Sequence, residues 1–326
     1  MRIKELILKS IKSKTLLTDI FGYGLIVTKF ADKYLAGQVT MYKSYSWLKK
    51  RFWKEVQTKE ELELNEMPAK KDYVWFCWLQ GIDSAPKLVQ DCYNSIRYWL
   101  KDKEIIVITK ENYKQYVEFP DYIIEKWEKG IISNTHFSDL LRLELLIRHG
   151  GLWLDATTYL TGPLPNYIED NNFFVYRNGW MDMEMINMGS WLMYSKKSNN
   201  YLLTETRKLL YKYWKKYNYL KNYFLLHMFF RMVTDENPEE WEKVPMISQI
   251  DAHLLERELN KKYNDHRLNE IKKLTSIHKL TYKNLEEKKD SFLCYLNMIY
   301  VKEKKGIMYE RKTITIRDLI MYIFIK

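Results

Sequence analysis

Apolar and polar residues follow two different periods along the chain, and the pattern changes near residue 73. Over residues 3–16 apolar positions recur three or four apart with lysines between them, which predicts a basic amphipathic helix. Residues 39–62 are rich in Tyr, Trp and Lys and predict a second helix. These helices either pack on the main domain or attach the protein to a membrane surface.

Beyond residue 73 short apolar runs alternate with amphipathic stretches. Residues 73–79 and 104–109 predict buried strands, and residues 86–100 between them predict a helix. A strand, a helix and a second strand form a right-handed unit with parallel strands. The same reasoning predicts helices over 122–129, 138–148, 201–217 and 220–233, and strands over 151–154, 173–176 and 189–194. The expected fold class is α/β, with a mixed, mostly parallel sheet.

The net charge of +11 is concentrated at the two ends of the chain. Residues 1–54 hold twelve Lys and Arg against three acidic residues, and residues 301–326 hold seven against three. Residues 55–300 have 34 basic and 36 acidic side chains, a net of −2. A nucleic-acid channel needs its positive charge where it binds, so nucleic acid is not expected as a partner. The basic ends suit an anionic membrane surface instead.

Several protein classes are excluded by composition and by missing motifs. The 326 residues, 46% apolar and 29% charged, match a globular protein and not a disordered chain. Three cysteines are too few for a disulfide framework and indicate a reducing compartment. No apolar run reaches the roughly 18–20 residues of a membrane span, and lysines interrupt the N-terminal apolar positions that a signal peptide needs. The sequence lacks P-loop, dinucleotide-binding, zinc-peptidase and serine-hydrolase motifs.

The segment 138–157 combines several residues with chemical potential. Ser138 is expected to cap a helix, with Asp139 in its first turn and Arg142 on the same face. Gly150-Gly151 ends that helix and turns the chain into a strand, after which Asp155 stands at the strand's carboxyl end. Singly, these residues have ordinary roles as cap, ion pair and turn; in this order they predict a ligand site.

The string SDLLR followed by HGGLWLDAT resembles the donor-binding core of retaining glycosyltransferases of the GT-A fold, a group that includes mannosyltransferases and the glucosylating bacterial toxins. It is most similar to the bacterial capsular polysaccharide synthesis branch. Further similar pieces are VWFCWLQG, DCYNSIRYW, TTYLTGPLP, INMGSWLMYS, YFLLH and IHKLTYK, so the resemblance covers about residues 73–283. It implies a GT-A, Rossmann-like catalytic domain over 66–300. The charge and apolar patterns of the two ends add a basic helical extension over 1–65 and a basic amphipathic tail over 301–326.

The resemblance also implies roles for individual residues. Asp139 would bond the ribose or donor sugar, and Arg142 the donor sugar or diphosphate. Other donor-binding positions implied by the resemblance are Gln80 and Gly81 beside the nucleotide, Gly151, and Lys279 on a phosphate.

Asp155 would be the first aspartate of a metal-binding Asp-x-Asp motif. The second aspartate is replaced by Thr157, and a hydroxyl is a weak ligand for hard cations. The resemblance therefore implies Mn²⁺ or Mg²⁺ held by Asp155, the substrate diphosphate and His278. The alternative for His278 is a surface histidine beside a surface lysine.

Cleavage of a sugar–phosphate bond builds negative charge on the leaving diphosphate, so the site needs cations there. Asn187 and Asp182, with Glu184 beside them, are the expected groups near the acceptor. A retaining reaction needs no strong base, whereas an inverting one would use Asp182, Glu184 or Asp251. His227 is expected to be a satisfied core histidine, with a contact to the acceptor as the alternative.

The leading hypothesis is a cytoplasmic glycosyltransferase at the inner face of the membrane. It would move a hexosyl group from a nucleoside-diphosphate sugar, a UDP-sugar by expectation, to a glycan or lipid-linked oligosaccharide of a capsule. The basic ends, including residues 314–326, would bind the anionic membrane. The alternatives are an inactive nucleotide-sugar or carbohydrate-binding protein of the same fold, and a basic scaffold that binds lipid or nucleic acid.

Overall fold

The structure, a computed structural model, describes residues 3–12, 14–57, 71–178, 185–286 and 288–296. In these ranges the helices α1 to α11 span Ile3–Lys12, Leu16–Val27, Lys33–Gln57, Lys87–Trp99, Asp121–Glu128, Asn134–His149, Asn166–Glu169, Tyr201–Lys216, Leu225–Glu236, Pro238–Glu242 and Asp265–Leu274. The strands β1 to β7 span Tyr73–Cys77, Glu104–Ile108, Gly151–Leu154, Thr158–Leu160, Phe173–Arg177, Met188–Ser195 and Ile277–Lys279.

Five of the strands form the central sheet in the order β2-β1-β3-β6-β5. β1 pairs in parallel with both β2 and β3, whereas β6 runs antiparallel to its neighbours β3 and β5. Four strands therefore share one direction and β6 opposes them. The predicted α/β fold with a mixed, mostly parallel sheet is confirmed.

Successive side chains of β1 and β3 enter two different cores because a strand alternates its faces. Trp75 and Trp153 pack with helices α6, α8 and α9 on one face. Val74, Phe76 and Leu152 pack with α4 on the other face. Helices cover both faces, which explains why these strands read as continuous apolar runs.

The N-terminal helices differ in how they use their apolar residues. The second half of α3 buries Tyr45, Leu48, Phe52 and Val56 in the core that contains α8 and α9. Helix α2 buries only Gly22. None of the helices in the described ranges combines the length and apolar character needed to cross a bilayer. The predicted domain boundaries near residues 65 and 300 lie outside the described residues, as does the tail 301–326, so the division into three parts stays a prediction.

Most predicted elements are present, and the main difference concerns α6. This helix begins at Asn134, one turn before the predicted start, because the side chain of Ser133 accepts a hydrogen bond from the backbone N–H of His136 and caps it. The prediction of Ser138 as the cap was wrong, and Asp139 lies in the second turn. Helix α9 begins at Leu225, whereas the sequence predicted a start at residue 220. Helix α3 begins at Lys33, whereas a start at residue 39 was predicted.

Candidate active site

Asp155 lies directly after β3, at the carboxyl edge of the parallel strands, as predicted. Its backbone N–H donates to the carbonyl of Trp191 at 2.8 Å, and Nε1 of Trp153 donates to its Oδ1 at 2.9 Å. The side chain of Asp155 is 25% exposed. These contacts fix a carboxylate at the edge where α/β proteins bind ligands.

Lys279 reaches Asp155 through a small second sheet. β4 pairs antiparallel with β7, and the register places Thr158 opposite Lys279. Nζ of Lys279 donates to Oδ2 of Asp155 at 2.9 Å and to Oγ1 of Thr157 at 2.7 Å. The structure therefore brings together the predicted motif and the predicted late lysine, which are more than 120 residues apart.

Arg142 joins the predicted residues of α6 to the strand edge. Its Nη2 lies 3.2 Å from Oδ1 of Asp139 and 3.4 Å from Oδ1 of Asp155. Its Nη1 donates to both the carbonyl and, at 2.7 Å, the hydroxyl of Ser190, and its Nε donates to the carbonyl of Ser138 at 3.5 Å. Its Nη1 and Nε thus form hydrogen bonds with protein groups, and its Nη2 lies at ion-pair distance from both aspartates. Arg142 therefore joins the two aspartates, and its contact with a donor stays a prediction.

The charges of this cluster control its ionisation. Burial raises the pKa of Asp155, but the nearby Lys279 and Arg142 outweigh it and hold that pKa well below its usual range. Burial raises the pKa of Asp139, against the opposing effect of Arg142. Two carboxylates and two cations face one another, so the described cluster has no net charge when all four are ionised.

Aromatic side chains lie near this cluster, since Tyr223 interacts electrostatically with Asp139, Asp155 and Tyr282. Trp78, just beyond β1, contacts Tyr282 edge to face with ring centroids 6.0 Å apart. Tyr223 is 60% exposed; burial raises its pKa, and the charges of Asp139 and Asp155 raise it further. In the described part of the chain the buried Nε1 of Trp78 has no hydrogen-bond partner. Exposed aromatic rings that carry a polar O–H or N–H group are suited to binding a nucleobase or a sugar ring.

Sequence reasoning missed Ser190, Trp78, Tyr223 and Tyr282. Position at the carboxyl end of β1, the same edge as Asp155, is the signal that would have selected Trp78. Ser190 has no local signal, since it meets Arg142 across 48 residues of sequence.

The expectation for His227 was wrong. Its side chain in α9 is only partly buried, and its Nδ1 has no partner among the described residues. Burial lowers its pKa to about 3, and the charge of Arg142 lowers it further. The imidazole of His227 is therefore neutral near pH 7, and its Nδ1 has no hydrogen-bond partner among the described residues.

The groups expected near the acceptor are only partly described. Asn187 lies just before β6, at the edge that carries Asp155; its Nδ2 donates to Oγ1 of Thr234 at 2.7 Å, and its Oδ1 has no partner in the described ranges. Asp182 and Glu184 lie outside the described residues. Asp251 is exposed in a 3₁₀ turn, and its negative charge helps to raise the pKa values of Tyr167 and Tyr176.

Gln80 and Gly81 occupy the turn after β1, on the ligand edge of the sheet. Gly81 has φ +82°, a conformation that favours glycine, and the hydroxyl of Ser84 donates to the carbonyl of Gln80 at 2.9 Å. The turn is thus placed where the resemblance requires it, and its contact with a nucleotide stays a prediction.

Gly151 does not belong to this edge, which corrects its assignment to donor binding. It is the first residue of β3, so the length of the strand separates it from Asp155. A Cβ at this position would lie 2.5 Å from the carbonyl oxygen of Tyr73, and its φ is +94°. Glycine is required here because β1 and β3 approach closely and the backbone adopts a left-handed conformation.

His278 is not brought to Asp155, which corrects its assignment as a metal ligand. Neighbours on a strand point to opposite faces, so His278 faces away from the carboxylate that Lys279 contacts. The ring is fully buried, with Nε2 hydrogen-bonded to Oγ1 of Thr161 at 2.8 Å. Nowhere in the described ranges do three or more His, Cys, Asp or Glu side chains gather as a metal site. The described residues do not fit a divalent ion chelated by the protein at Asp155.

No curated protein matches the chain. Among solved structures it is similar to the PaToxG glycosyltransferase, with 14% identity and a TM-score of 0.37 over 84% of this chain and 91% of that one. It is also similar to a structure described as a transferase mutant, with 14% identity and a TM-score of 0.32 over 54% of this chain and 88% of that one. Both likenesses are too distant to assign a reaction.

The family comparison is the informative one. The model of the family described as "Capsular polysaccharide synthesis protein" matches residues 26–299, which include every described residue of the Asp155 cluster. This chain therefore belongs to the capsular polysaccharide synthesis protein family.

Proposed function

We propose that the protein transfers a hexosyl group from a nucleoside-diphosphate sugar, with a UDP-sugar as the expected donor, to a glycan or lipid-linked oligosaccharide during capsule synthesis. The observation that carries the proposal is the contact of Lys279 with Asp155 at the carboxyl edge of the parallel strands. Family membership supports a role in making capsular polysaccharide.

The site has the groups that a diphosphate leaving group requires. Lys279 supplies a cation held in place by Asp155 and Thr157. Exposed Tyr223 and the pair Trp78 and Tyr282 offer ring faces for the base or the sugar. Preorganised charge at a leaving group stabilises the transition state because no reorganisation is needed during the reaction.

In the proposed reaction the acceptor oxygen forms a bond to the anomeric carbon. The bond between that carbon and the diphosphate oxygen breaks, its electron pair stays on the diphosphate, and the departing oxygen takes the acceptor's proton. Both described carboxylates of the cluster, Asp139 and Asp155, are paired with Arg142, so neither is a free base. This supports a retaining course. Asn187, just before β6 at the same edge of the sheet, is the group proposed to position the acceptor.

The experiment is a titration of the purified full chain with UDP-, GDP- and dTDP-sugars, followed by an assay of nucleoside-diphosphate release with and without capsular oligosaccharide. We expect one donor class to bind and its release to rise with the acceptor. Binding without release under any acceptor would instead support the inactive binding protein, for which the replacement of an aspartate by Thr157 is the favouring observation. Binding of no sugar nucleotide would contradict both.

We further propose that α1, α2 and the turn after α2 hold the protein at an anionic membrane. Leu17, Tyr23, Val27 and Phe30 are 83%, 69%, 60% and 84% exposed, although all are large and apolar. The surrounding segment 1–54 carries a net charge of +9. Apolar side chains next to basic ones are the composition of a helix that lies in a membrane interface. Such a position would bring the site to lipid-linked acceptors.

Vesicle co-sedimentation of the full chain tests this attachment. We expect binding to vesicles that contain phosphatidylglycerol, weaker binding to phosphatidylcholine alone, and loss of binding in the double variant Leu17→Glu, Phe30→Glu. Met246→Glu is the matched control, because Met246 is 79% exposed outside the N-terminal helices. Equal sedimentation of the double variant and the control would contradict the attachment.

A further inference from the structure

We propose that the ammonium of Lys279 replaces the divalent cation at this site, so that donor binding and sugar transfer proceed without Mn²⁺ or Mg²⁺. This inference rests on the proposed function for the identity of the ligand. Its structural basis is the position of Nζ, within hydrogen-bond distance of both Asp155 and Thr157.

The two partners of Lys279 are the first and third residues of the Asp-x-Thr segment. In the two-aspartate pattern that this segment resembles, both positions carry a negative charge and match a doubly charged ion. Here Thr157 is neutral, so the pair carries one negative charge, which one ammonium balances. The replacement of the aspartate and the presence of the lysine are therefore complementary.

The backbone holds Lys279 in this position. Thr158 pairs with Lys279 across the two-stranded sheet, and the N–H of Leu280 donates to the carbonyl of Thr157 at 2.9 Å. The side chain is only 19% exposed. A divalent ion bound to Asp155 would lie beside this ammonium and repel it. The ion would therefore have to displace a lysine whose backbone is held by pairing with Thr158 and by the adjacent hydrogen bond of Leu280.

Lys279 also has an N–H group that its two partners in the cluster leave unused. An ammonium has three N–H groups, and the structure records two acceptors for it, Asp155 and Thr157. The guanidinium of Arg142 is less accessible, because the residue is only 5% exposed and its nitrogens face Asp139, Asp155, Ser190 and Ser138. The third N–H of Lys279 is thus available to a diphosphate oxygen.

The transfer step balances without a metal. As the anomeric carbon–oxygen bond breaks, its electron pair passes to the diphosphate, and the N–H of Lys279 donates to that oxygen. Lys279 keeps its proton, since the acceptor's proton goes to the departing diphosphate.

The first arm of the experiment measures UDP binding to the full chain by calorimetry, with EDTA and with Mn²⁺. We expect dissociation constants that agree within about twofold in the two buffers, and a loss of about 10–100-fold for Lys279→Met, the effect of removing one charged hydrogen bond. Lys101→Met is the control, since Lys101 is exposed in the turn between α4 and β2, at the opposite edge of the sheet. Binding that EDTA abolishes and Mn²⁺ restores would overturn the inference.

The second arm separates this inference from the proposed function, because it needs no nucleotide. Free Mn²⁺ is measured by electron paramagnetic resonance during titration with wild type, Asp155→Asn and Asp102→Asn. We expect the signal of free Mn²⁺ to be the same with wild type and with Asp155→Asn. One Mn²⁺ bound per chain by wild type and lost only in Asp155→Asn would overturn the role of Lys279, whereas failure to bind any sugar nucleotide would overturn the proposed function alone.

Discussion

The ammonium of Lys279 lies 2.9 Å from Oδ2 of Asp155, although 124 residues separate the two in sequence. The contact depends on a strand pair, β4 with β7, that is separate from the central sheet. It places a fixed positive charge at the end of β3, where the proposed reaction develops negative charge. Most of the testable consequences concern this contact and its neighbours.

Asp155→Asn should reduce sugar transfer by about 10²-fold or more, because Lys279 and Arg142 lose the charge that holds them together. The measurement is kcat/KM for nucleoside-diphosphate release with acceptor. Asp102→Asn, an exposed aspartate in the turn before β2, should retain wild-type activity. Full activity of Asp155→Asn would be incompatible with the assigned site.

The double variant Thr157→Asp, Lys279→Ala should acquire a metal requirement. It restores a second carboxylate and removes the ammonium that occupies the space between the two positions. We expect Mn²⁺ binding by electron paramagnetic resonance and UDP binding that EDTA suppresses. Thr157→Asp alone keeps Lys279 and should remain insensitive to EDTA. A double variant indifferent to Mn²⁺ would show that these two positions do not form a cation site.

Arg142→Met should lower the free energy of unfolding by about 3–5 kcal/mol, since it removes one partner of a buried charge cluster. Asp139 would lose its ion pair, and Ser190 two hydrogen bonds. Urea unfolding at pH 7 measures the change. Arg257→Met, at an exposed position of a 3₁₀ turn, should stay within about 0.5 kcal/mol of wild type. Equal stability of the two variants would contradict the role of Arg142 in joining the two aspartates.

Gly151→Ala should destabilise the protein by about 2 kcal/mol or more, because its Cβ would meet the carbonyl of Tyr73 at 2.5 Å in a left-handed backbone conformation. Thermal unfolding gives the comparison. Gly24→Ala is the control: nothing lies within 4 Å of its Cβ position in α2, and alanine should be neutral or stabilising by about 0.5–1 kcal/mol. A tolerated alanine at 151 would remove the structural explanation for this glycine.

His278→Gln should weaken the dependence of stability on pH. Burial lowers the pKa of His278 to about 3 from the ordinary value of 6.5. Between these values the unfolded state binds the extra proton, so stability falls as pH decreases below about 6.5, by about 1.4 kcal/mol per pH unit for one such group. Urea unfolding at pH 7 and pH 5 should show a drop about 2 kcal/mol smaller in the variant.

The exposed His266 of α11 provides the control for this measurement. His266→Gln should keep the wild-type difference between pH 7 and pH 5. His227, whose pKa is also lowered to about 3, contributes a similar slope in both variants. The same pH difference in His278→Gln and wild type would show that His278 takes up its proton in the folded state.

The sequence by itself determined the elements and the edge at which the site lies. Apolar runs such as 73–79 and 104–109 identify strands because burial on both sheet faces removes polar alternation. The order of Arg142, Gly150-Gly151 and Asp155 placed a carboxylate at a strand end, since helix termination and strand polarity are local properties. Local signals were enough for these features.

Only the tertiary structure decided which side chains meet. The pairing of β7 with β4 directs Lys279 toward Asp155 and His278 into the core. These directions depend on the register of the two strands. The contact between Arg142 and Ser190 and the exposure of His227 to the charged cluster likewise arise from packing between distant segments. Residue types and spacing show what a side chain can do, whereas its partners depend on long-range pairing that leaves no local pattern.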